Sequence, residues 1–393
     1  MTTDVSAAGA APLAGSRRSA WLLNYLQRRL QDSAIGFEMT ALDGNTRRFG
    51  AGPASFRVNI THPSALKAIA SLDEGTIAQA YVDGWFDVDG DFIKIFDLRE
   101  QLHDRHPFHR LWRFLAPVLM GQVAVSRSTI VRHYERDPEF FLTFLDESFH
   151  CYTQGVFLSP DEDLEVAFRR KMDHVVEACR LAPGSQVLEV GPGWGAFAAY
   201  AGRQGIEVTG VTISTKSLEF MDRLTAREGL PITTLLCDFL EFEPEKRFDA
   251  VVVLGIMEHM PDYPRVLARL DRVLKPGGRV FIDAGACDRK YEMSSFISQQ
   301  IYPGNNSFLI LHDFLKSMTS FPFDLKGVWD DRISYYRTCV GWAKRLDSNR
   351  KFIVKNFGEA EYRRFRLYLW GSAHCFLRNR LQCYRLVLEK HAS

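Results

Sequence analysis

Hydrophobic and polar residues follow two rhythms along this chain. From Trp21 to Leu30 the apolar residues Leu22, Leu23, Leu26 and Leu30 recur at helical spacing. Between Ile35 and Ile60 the apolar runs are short and broken by Gly44, Gly50, Gly52 and Pro53. Within them Phe56-Arg-Val-Asn-Ile60 alternates as a strand. A helix is expected over Ser64–Ser71 and one further element over Gly75–Asp91. Phe92–Gly121 reads as mostly helical. In it Phe108, Leu111, Trp112, Leu115 and Leu119 share a face, with His109, Arg110 and Arg113 near the other. Such a helix can lie on a membrane surface or be buried between domains.

Past Asp163 the rhythm changes. A long helix over Asp163–Ala182 leads into continuous apolar runs at 187–190, 207–211, 233–236, 248–254 and 279–283, with a helix at 263–274 among them. Uninterrupted apolar strands alternating with helices predict a parallel sheet covered on both faces. Tyr291–Gln300 reads helical. So does the chain after Pro303, with Tyr362–Leu388 as one or two closing helices.

Composition narrows the class without naming a chemistry. The 393 residues suffice for about two to three domains, and 46% hydrophobic with 25% charged is ordinary globular content. A net charge of +1, from 49 basic and 48 acidic residues, gives no overall case for nucleic acid. The cysteines stand singly, with no Cys-x-x-Cys pair, so no zinc or disulfide framework is predicted. Free thiols fit the cytoplasm. No apolar run precedes Arg17-Arg18, and none reaches the ~18 residues of a membrane span. Residues 1–18 are expected to be a disordered N-terminus, 19–121 a small α+β domain with a linker helix, and 122–393 the main domain.

The chemistry centres on Val187-Leu-Glu-Val-Gly-Pro-Gly-Trp-Gly-Ala-Phe197. A short strand meets Gly191, Gly193 and Gly195 and then a helix start, so backbone can approach a ligand closely. The spacing is Gly-x-Gly-x-Gly rather than the dinucleotide binders' Gly-x-Gly-x-x-Gly. It resembles the first motif of Rossmann-like methyltransferases that use S-adenosylmethionine. Other landmarks follow in order: Gly210-Val-Thr-Ile-Ser214, Asp238, Phe248-Asp249, Glu258-His259-Met260 and Leu274-Lys-Pro-Gly-Gly278. With Ala80-Tyr-Val-Asp-Gly-Trp85, His133-Tyr134, Tyr152–Phe157 and Tyr335–Trp342, the chain resembles the cyclopropane-fatty-acyl-phospholipid synthases and mycolic acid cyclopropane synthases over roughly residues 35 to 390.

That resemblance implies an α/β fold: a class I methyltransferase sheet, a small N-terminal lipid-associated domain and a helical C-terminal cover. It implies transfer of a methyl or methylene group to the double bond of an unsaturated acyl chain, on a phospholipid. The alternative is small-molecule N- or C-methylation on the same fold. It implies peripheral contact with the inner membrane face, no nucleic acid, and a possible homodimer. The family's base is a bicarbonate ion held by a Cys, a Glu, a His and a Tyr. Glu258 and Tyr335 match the Glu and the Tyr. Gln154 stands in place of the Cys and Asp283 in place of the His. Those departures put bicarbonate, and with it a ring product, in question. A carboxylate at Asp283 would repel the anion and could itself act as base.

The candidate catalytic residues are therefore Glu258, Tyr335, Asp283 and Gln154. Tyr134, Tyr152, Phe157 and Tyr335 are the candidate ring faces for positive charge. Cofactor binding is expected from Tyr152, Thr153, Gly191, Gly193, Gly195, Thr212 and Asp238, with Asp238 on the adenine amine. His259 and His133 lack a second ligand at helical or hairpin spacing, so no metal is expected.

Overall fold

The computed structural model describes residues 17–103, 137–289, 294–302 and 307–392. Of residues 1–18, expected to be disordered, 1–16 lie outside them, as do the amphipathic stretch 108–119 and His133-Tyr134, whereas Arg17 and Arg18 begin a helix and correct that expectation. Two units can be distinguished, residues 1–105 and 106–393. The expected boundary at 121 falls outside the described residues.

The first unit comprises α1 (Arg17–Leu30), β1 (Gly36–Thr40), β2 (Thr46–Phe49), β3 (Ala54–Ile60), α2 (Ala65–Ala70), α3 (Glu74–Val82) and β4 (Phe86–Gly90), followed by a 3₁₀ stretch at Phe92–Gln101. Its sheet runs β2-β1-β3-β4, with β1 and β3 parallel. Leu23, Leu26 and Leu30 form the buried stripe of α1. Phe37 stacks on both Phe49 and Phe56 with centroids 5.1 Å apart, so strand alternation places the aromatics on one face. The element expected over Gly75–Asp91 is a helix and a strand. Asp73 caps α3 by accepting from Thr76 N at 2.9 Å, and Gly84 turns the chain with φ of 74°.

The second unit opens with α4 (Pro138–Leu142) and α5 (Leu164–Ala178). It continues through β5 (Gln186–Val190), α6 (Ala196–Gly202), β6 (Glu207–Thr212), α7 (Thr215–Glu228), β7 (Ile232–Leu236), β8 (Phe248–Leu254), α8 (Tyr263–Val273) and β9 (Leu274–Ala286). It closes with α9 (Leu311–Met318), β10 (Phe323–Asp330), α10 (Arg332–Ser348), α11 (Arg350–Phe357), α12 (Glu359–Leu377) and β11 (Gln382–Lys390). The sheet order is β10-β11-β9-β8-β5-β6-β7. From β9 to β7 every pairing is parallel. Val251, Val252 and Val253 are wholly buried, as a strand covered on both faces requires.

The end of the chain corrects the expectation of closing helices. α12 stops at Leu377, and β11 inserts antiparallel between β9 and β10, with Arg385 opposite Asp283. Leu386, Val387 and Leu388 are all buried, so β11 shows no alternation. A short run of that kind cannot be told from a buried helix by periodicity. Residues Ile297–Ile301 form a π-helical turn rather than an α-helix.

Candidate active site

Neighbouring strands leave β5 in opposite senses: β6 and β7 follow on one side, β8 and β9 on the other. That reversal opens a crevice at the carboxyl ends of the strands. A cavity lies there. Its walls come from Glu189–Trp194 after β5, Val211–Ser214 after β6, Cys237–Leu240 after β7 and Leu254–Ile256 after β8. His150–Thr153 and His259–Asp262 complete it.

The glycines of the central turn divide the work. A Cβ on Gly193, where φ is 55°, would meet nothing within 4 Å, so this residue faces open cavity. Gly195 was expected beside the cofactor. It is instead the left-handed cap of α6, and a Cβ there would come within 2.6 Å of Leu224 and 3.1 Å of Met221. Gly195 shapes the turn by packing, and it is absent from the cavity wall. Ser217 Oγ donates to the Gly193 carbonyl at 2.9 Å and ties the turn to α7.

Thr212 lines the cavity at the end of β6, its Oγ1 accepting from Ser214 N at 3.2 Å. Asp238 lines it after β7. Its Oδ1 accepts from Leu240 N at 2.9 Å, so part of the carboxylate caps its own turn. Tyr152 and Thr153 line it from the opposite wall. Tyr152 belongs to an aromatic group, 5.2 Å from Phe141 and 5.5 Å from Trp342 between centroids.

Glu189, within the motif itself, was not among the expected site residues. It is 2% exposed and lines the cavity. Its Oε2 has no hydrogen-bond partner among the described residues. Burial pushes its carboxyl up to about 8, opposed by the Ala198 amide and Lys171. An unpaired buried acceptor awaits a donor. With the open space before Gly193, it fits the ammonium and carboxylate end of S-adenosylmethionine.

Behind Thr153 lies a second cluster, sealed from solvent. Lys171 and Asp283 are both without exposed surface, and Nζ meets Oδ2 at 2.9 Å. Lys171 also donates to Thr153 Oγ1. Burial pushes Lys171 down, but Asp283, with Cys151, more than offsets it, so the lysine stays a cation; burial raises the Asp283 carboxyl in turn, and Lys171 opposes that rise. Lys171 went unnoticed in the sequence. The available signal was its place on the apolar stripe of α5, with Leu164, Ala167, Phe168, Met172 and Val175. The expectation that Asp283 presents a bare negative charge is corrected accordingly, because Lys171 neutralises it.

Glu258 follows β8. Its Oε1 accepts from Gly285 N at 2.7 Å, while Oε2 has no partner among the described residues. Burial pushes its carboxyl up to about 7. Tyr335 stacks on Phe376 at 4.3 Å, and burial, then Cys339 and Glu258, hold its phenol well above the ordinary range. Tyr302 is held up likewise, chiefly by burial, with its hydroxyl 2.9 Å from that of Tyr368. The fold therefore brings Glu258, Asp283 and Tyr335 into one electrostatic neighbourhood.

Gln154 points elsewhere. Its Nε2 lies 3.4 Å from Asp331, whose carboxylate is bound by two nitrogens of Arg385. That partner set makes it a strut on a buried ion pair. Phe157 is fixed through its amide to Ser334 Oγ at 3.1 Å. Tyr134 lies outside the described residues. Among the described residues no group of acidic, His or Cys side chains could hold a metal.

The sequence model of the mycolic acid cyclopropane synthetase family matches residues 122–386. The chain is 29% identical to the cyclopropane-fatty-acyl-phospholipid synthase of Escherichia coli K12 over 355 residues, covering 87% of this chain and 89% of that protein. It is 25% identical to sphingolipid C9-methyltransferase B of Emericella nidulans, covering 80% of this chain and 65% of that one. The fold superposes on the cyclopropane synthase MmaA2 of Mycobacterium tuberculosis with a TM-score of 0.63 at 24% identity, covering 67% of this chain and 98% of that one.

Proposed function

This chain belongs to the mycolic acid cyclopropane synthetase family, and from that premise we propose that Glu258 is the base of its alkyl-transfer reaction. The chain is an S-adenosylmethionine-dependent methyltransferase acting on the double bond of an unsaturated acyl chain, and the acyl carrier proposed here is a phospholipid. When bound, S-adenosylmethionine supplies an electrophilic methyl group, and the transfer releases S-adenosylhomocysteine and one proton from the alkylated chain. Glu258 accepts that proton at Oε2. The carrying observation is its carboxyl: buried, fixed through Oε1 by the Gly285 amide, unpartnered at Oε2, and poised near neutral pH. A proton taken from the new methyl group closes a ring. One taken from the adjacent chain carbon leaves a methyl-branched alkene.

Other residues bind and orient. Gly191 and Gly193 bring backbone to the cofactor, Glu189 receives its ammonium, and Asp238 and Thr212 face its nucleoside. Tyr152, Trp342 and Phe141 offer ring faces that stabilise positive charge on the chain. Tyr335, kept protonated by burial, holds the Glu258 neighbourhood polar without adding charge. Bicarbonate does not fit this donor set. Gln154 and Asp283 stand where the resemblance implies a Cys and a His, and the buried cation nearby, Lys171, is already held by Asp283.

Peripheral membrane contact finds support in α1. Trp21 is 59% exposed and stacks on Tyr25 at 5.9 Å, on the helix face opposite the buried leucines. Arg28 and Arg29 are exposed beside them, and the helix carries no acidic residue. Aromatics flanked by arginine suit an anionic bilayer surface. Among the described residues no helix is long and apolar enough to cross a membrane.

Lipid mass spectrometry after expression in a host with unsaturated phospholipids tests the reaction. The expected result is a gain of one methylene unit per acyl chain, with double-bond mapping to distinguish ring from branch. Turnover in bicarbonate-depleted buffer tests the base. Activity restored only by added bicarbonate would sink Glu258 in that role.

A further inference from the structure

Lys171 has no place in the cavity wall and no part in the chemistry above, yet it is a cation buried completely beneath the site. A fold tolerates such a charge only when it is paired. Resting on Glu258 as the base, we propose that Lys171 is a positioning residue that decides which of two neighbouring carboxyl groups takes the proton. It keeps Asp283 ionised and thereby leaves Glu258 as the group that titrates.

The geometry behind this lies on β9. Asp283 and Gly285 are two residues apart on the strand and project to the same face. Gly285 has no side chain, and the Glu258 carboxyl fills the room. A Cβ on Gly285 would stand 3.3 Å from Glu258 Oε1 and 3.1 Å from Phe308. Both acids therefore share one neighbourhood, and each keeps a buried oxygen without a partner among the described residues. Two buried carboxyl groups so placed compete for a single charge. The 2.9 Å contact between Lys171 and Asp283 Oδ2 breaks the tie.

The surrounding groups leave that task to Lys171. Asp283 is faced by Lys171 from α5, Asp331 ahead of α10 and Cys383 from β11, besides Glu258. Asp331 is already paired with Arg385. Glu258 is faced by Tyr302, Tyr335 and Tyr263, whose phenols burial keeps neutral. Lys171 itself is faced by Cys151, Cys383 and Glu189 as well as Asp283. Burial holds both thiols above their ordinary range, so neither competes for its charge.

The pH dependence of kcat/KM on vesicles of dioleoyl phosphatidylglycerol and dioleoyl phosphatidylethanolamine tests the idea. The wild type should show one acid limb near pH 7, set by Glu258. Asp283→Asn removes the negative charge that raises Glu258, so its limb should move down by up to about one pH unit. Lys171→Met makes two carboxyl groups share the space, so the limb should move up and broaden into two steps. The double variant Lys171→Met/Asp283→Asn has no second carboxyl to share the space, so it should lose the upward shift and the second step of Lys171→Met. A purely structural lysine would lower activity in both single variants without moving the limb. Unmoved limbs, or two shifts in the same direction, would overturn the proposal. Should Lys171→Met fail to bind S-adenosylmethionine, the other two variants decide: a limb that does not move down in Asp283→Asn, or one that moves up or splits in the double variant, overturns it. Glu258→Gln separates this from the base assignment. An acid limb that survives in Glu258→Gln defeats the base, whereas a limb lost there but unmoved in the single variants defeats Lys171 alone.

Discussion

Thr153 joins the wall of the cofactor cavity and bonds the lysine of the charged cluster behind it, and the two regions are built from different materials. The cavity is walled by loop ends of consecutive strands. Its shape comes from glycines, a serine clasp and backbone carbonyls, which bring no net charge of their own. The cluster is assembled from α5, β9 and the turn after β8, elements far apart in the chain, and it carries three ionisable groups, of which Lys171 and Asp283 have no exposed surface and Glu258 is part-buried. A cavity of the first kind can accept a large ligand because its backbone does not rearrange. The second kind fixes a protonation state, because a buried charge has few alternatives. Binding and proton removal are thus held by parts that can be broken separately.

The widest separation is expected from Glu258→Gln. The amide keeps the shape and the bond from Gly285 N, but it cannot accept a proton at neutral pH. Methyl transfer should fall by about a thousandfold, as for loss of a general base, with S-adenosylmethionine affinity unchanged by calorimetry. Parallel loss of affinity would mean that cavity and cluster are not independent.

Stability against pH reads both regions at once. Glu189 and Glu258 are raised to about 8 and about 7 in the folded chain, from an ordinary value near 4.5. The folded state therefore holds protons that the unfolded state releases. Their contribution is full below about pH 4.5 and is lost as pH rises through 7 and then 8. The apoprotein should lose on the order of a few kcal/mol between about pH 6 and about pH 9. Saturating S-adenosylmethionine should flatten the upper part of this loss, since Glu189 then has a cation to face. The Glu258 part should persist. Melting curves with and without cofactor distinguish the two, and a flat profile would count against both buried acids.

Two glycines of the same turn sharpen the contrast further. Gly193→Leu puts a side chain into open cavity at a backbone angle that strains it. Cofactor affinity should fall by about a hundredfold, with a modest loss of melting temperature. Gly195→Leu drives its Cβ against Leu224 and Met221, so it should unfold the domain before binding can be measured. Retained affinity in a folded Gly193→Leu would show that the turn is not the cofactor cradle.

The same contrast explains what could be read from the chain alone. Gly191, Gly193, Asp238 and Thr212 stand at the ends of apolar strands, and strand plus turn is a local pattern. The alternation of strands and helices from Val187 to Asp283 was legible for that reason. The cluster was not, because its meaning lies in contacts across 112 residues between Lys171 and Asp283. In sequence Asp283 looked like a lone carboxylate and Gln154 like an empty replacement for a thiol. Only the fold pairs one with Lys171 and ties the other to Asp331. β11 was misread for a related reason: its strand character depends on filling the gap between β9 and β10, and nothing in Gln382–Lys390 announces that partner.

The mildest test falls on Ser217. Its hydroxyl donates to the Gly193 carbonyl at 2.9 Å and ties the turn to α7, while its amide is held by the helix's own N-cap, Ser214 Oγ, at 3.2 Å. Ser217→Ala removes that tie and leaves the helix cap intact. The freed carbonyl lies at the cavity wall, where water can replace the lost donor, so the unsatisfied-group penalty of a dry interior does not apply. The remaining cost is that of one neutral hydrogen bond, about 1 kcal/mol, or roughly fivefold in S-adenosylmethionine affinity. The pH limb set by Glu258 should not move, because no charge has changed. An effect of a hundredfold or more on affinity would mean that the turn depends on α7 for its shape. A shifted limb would mean that the shape of the turn sets the charge state of the cluster.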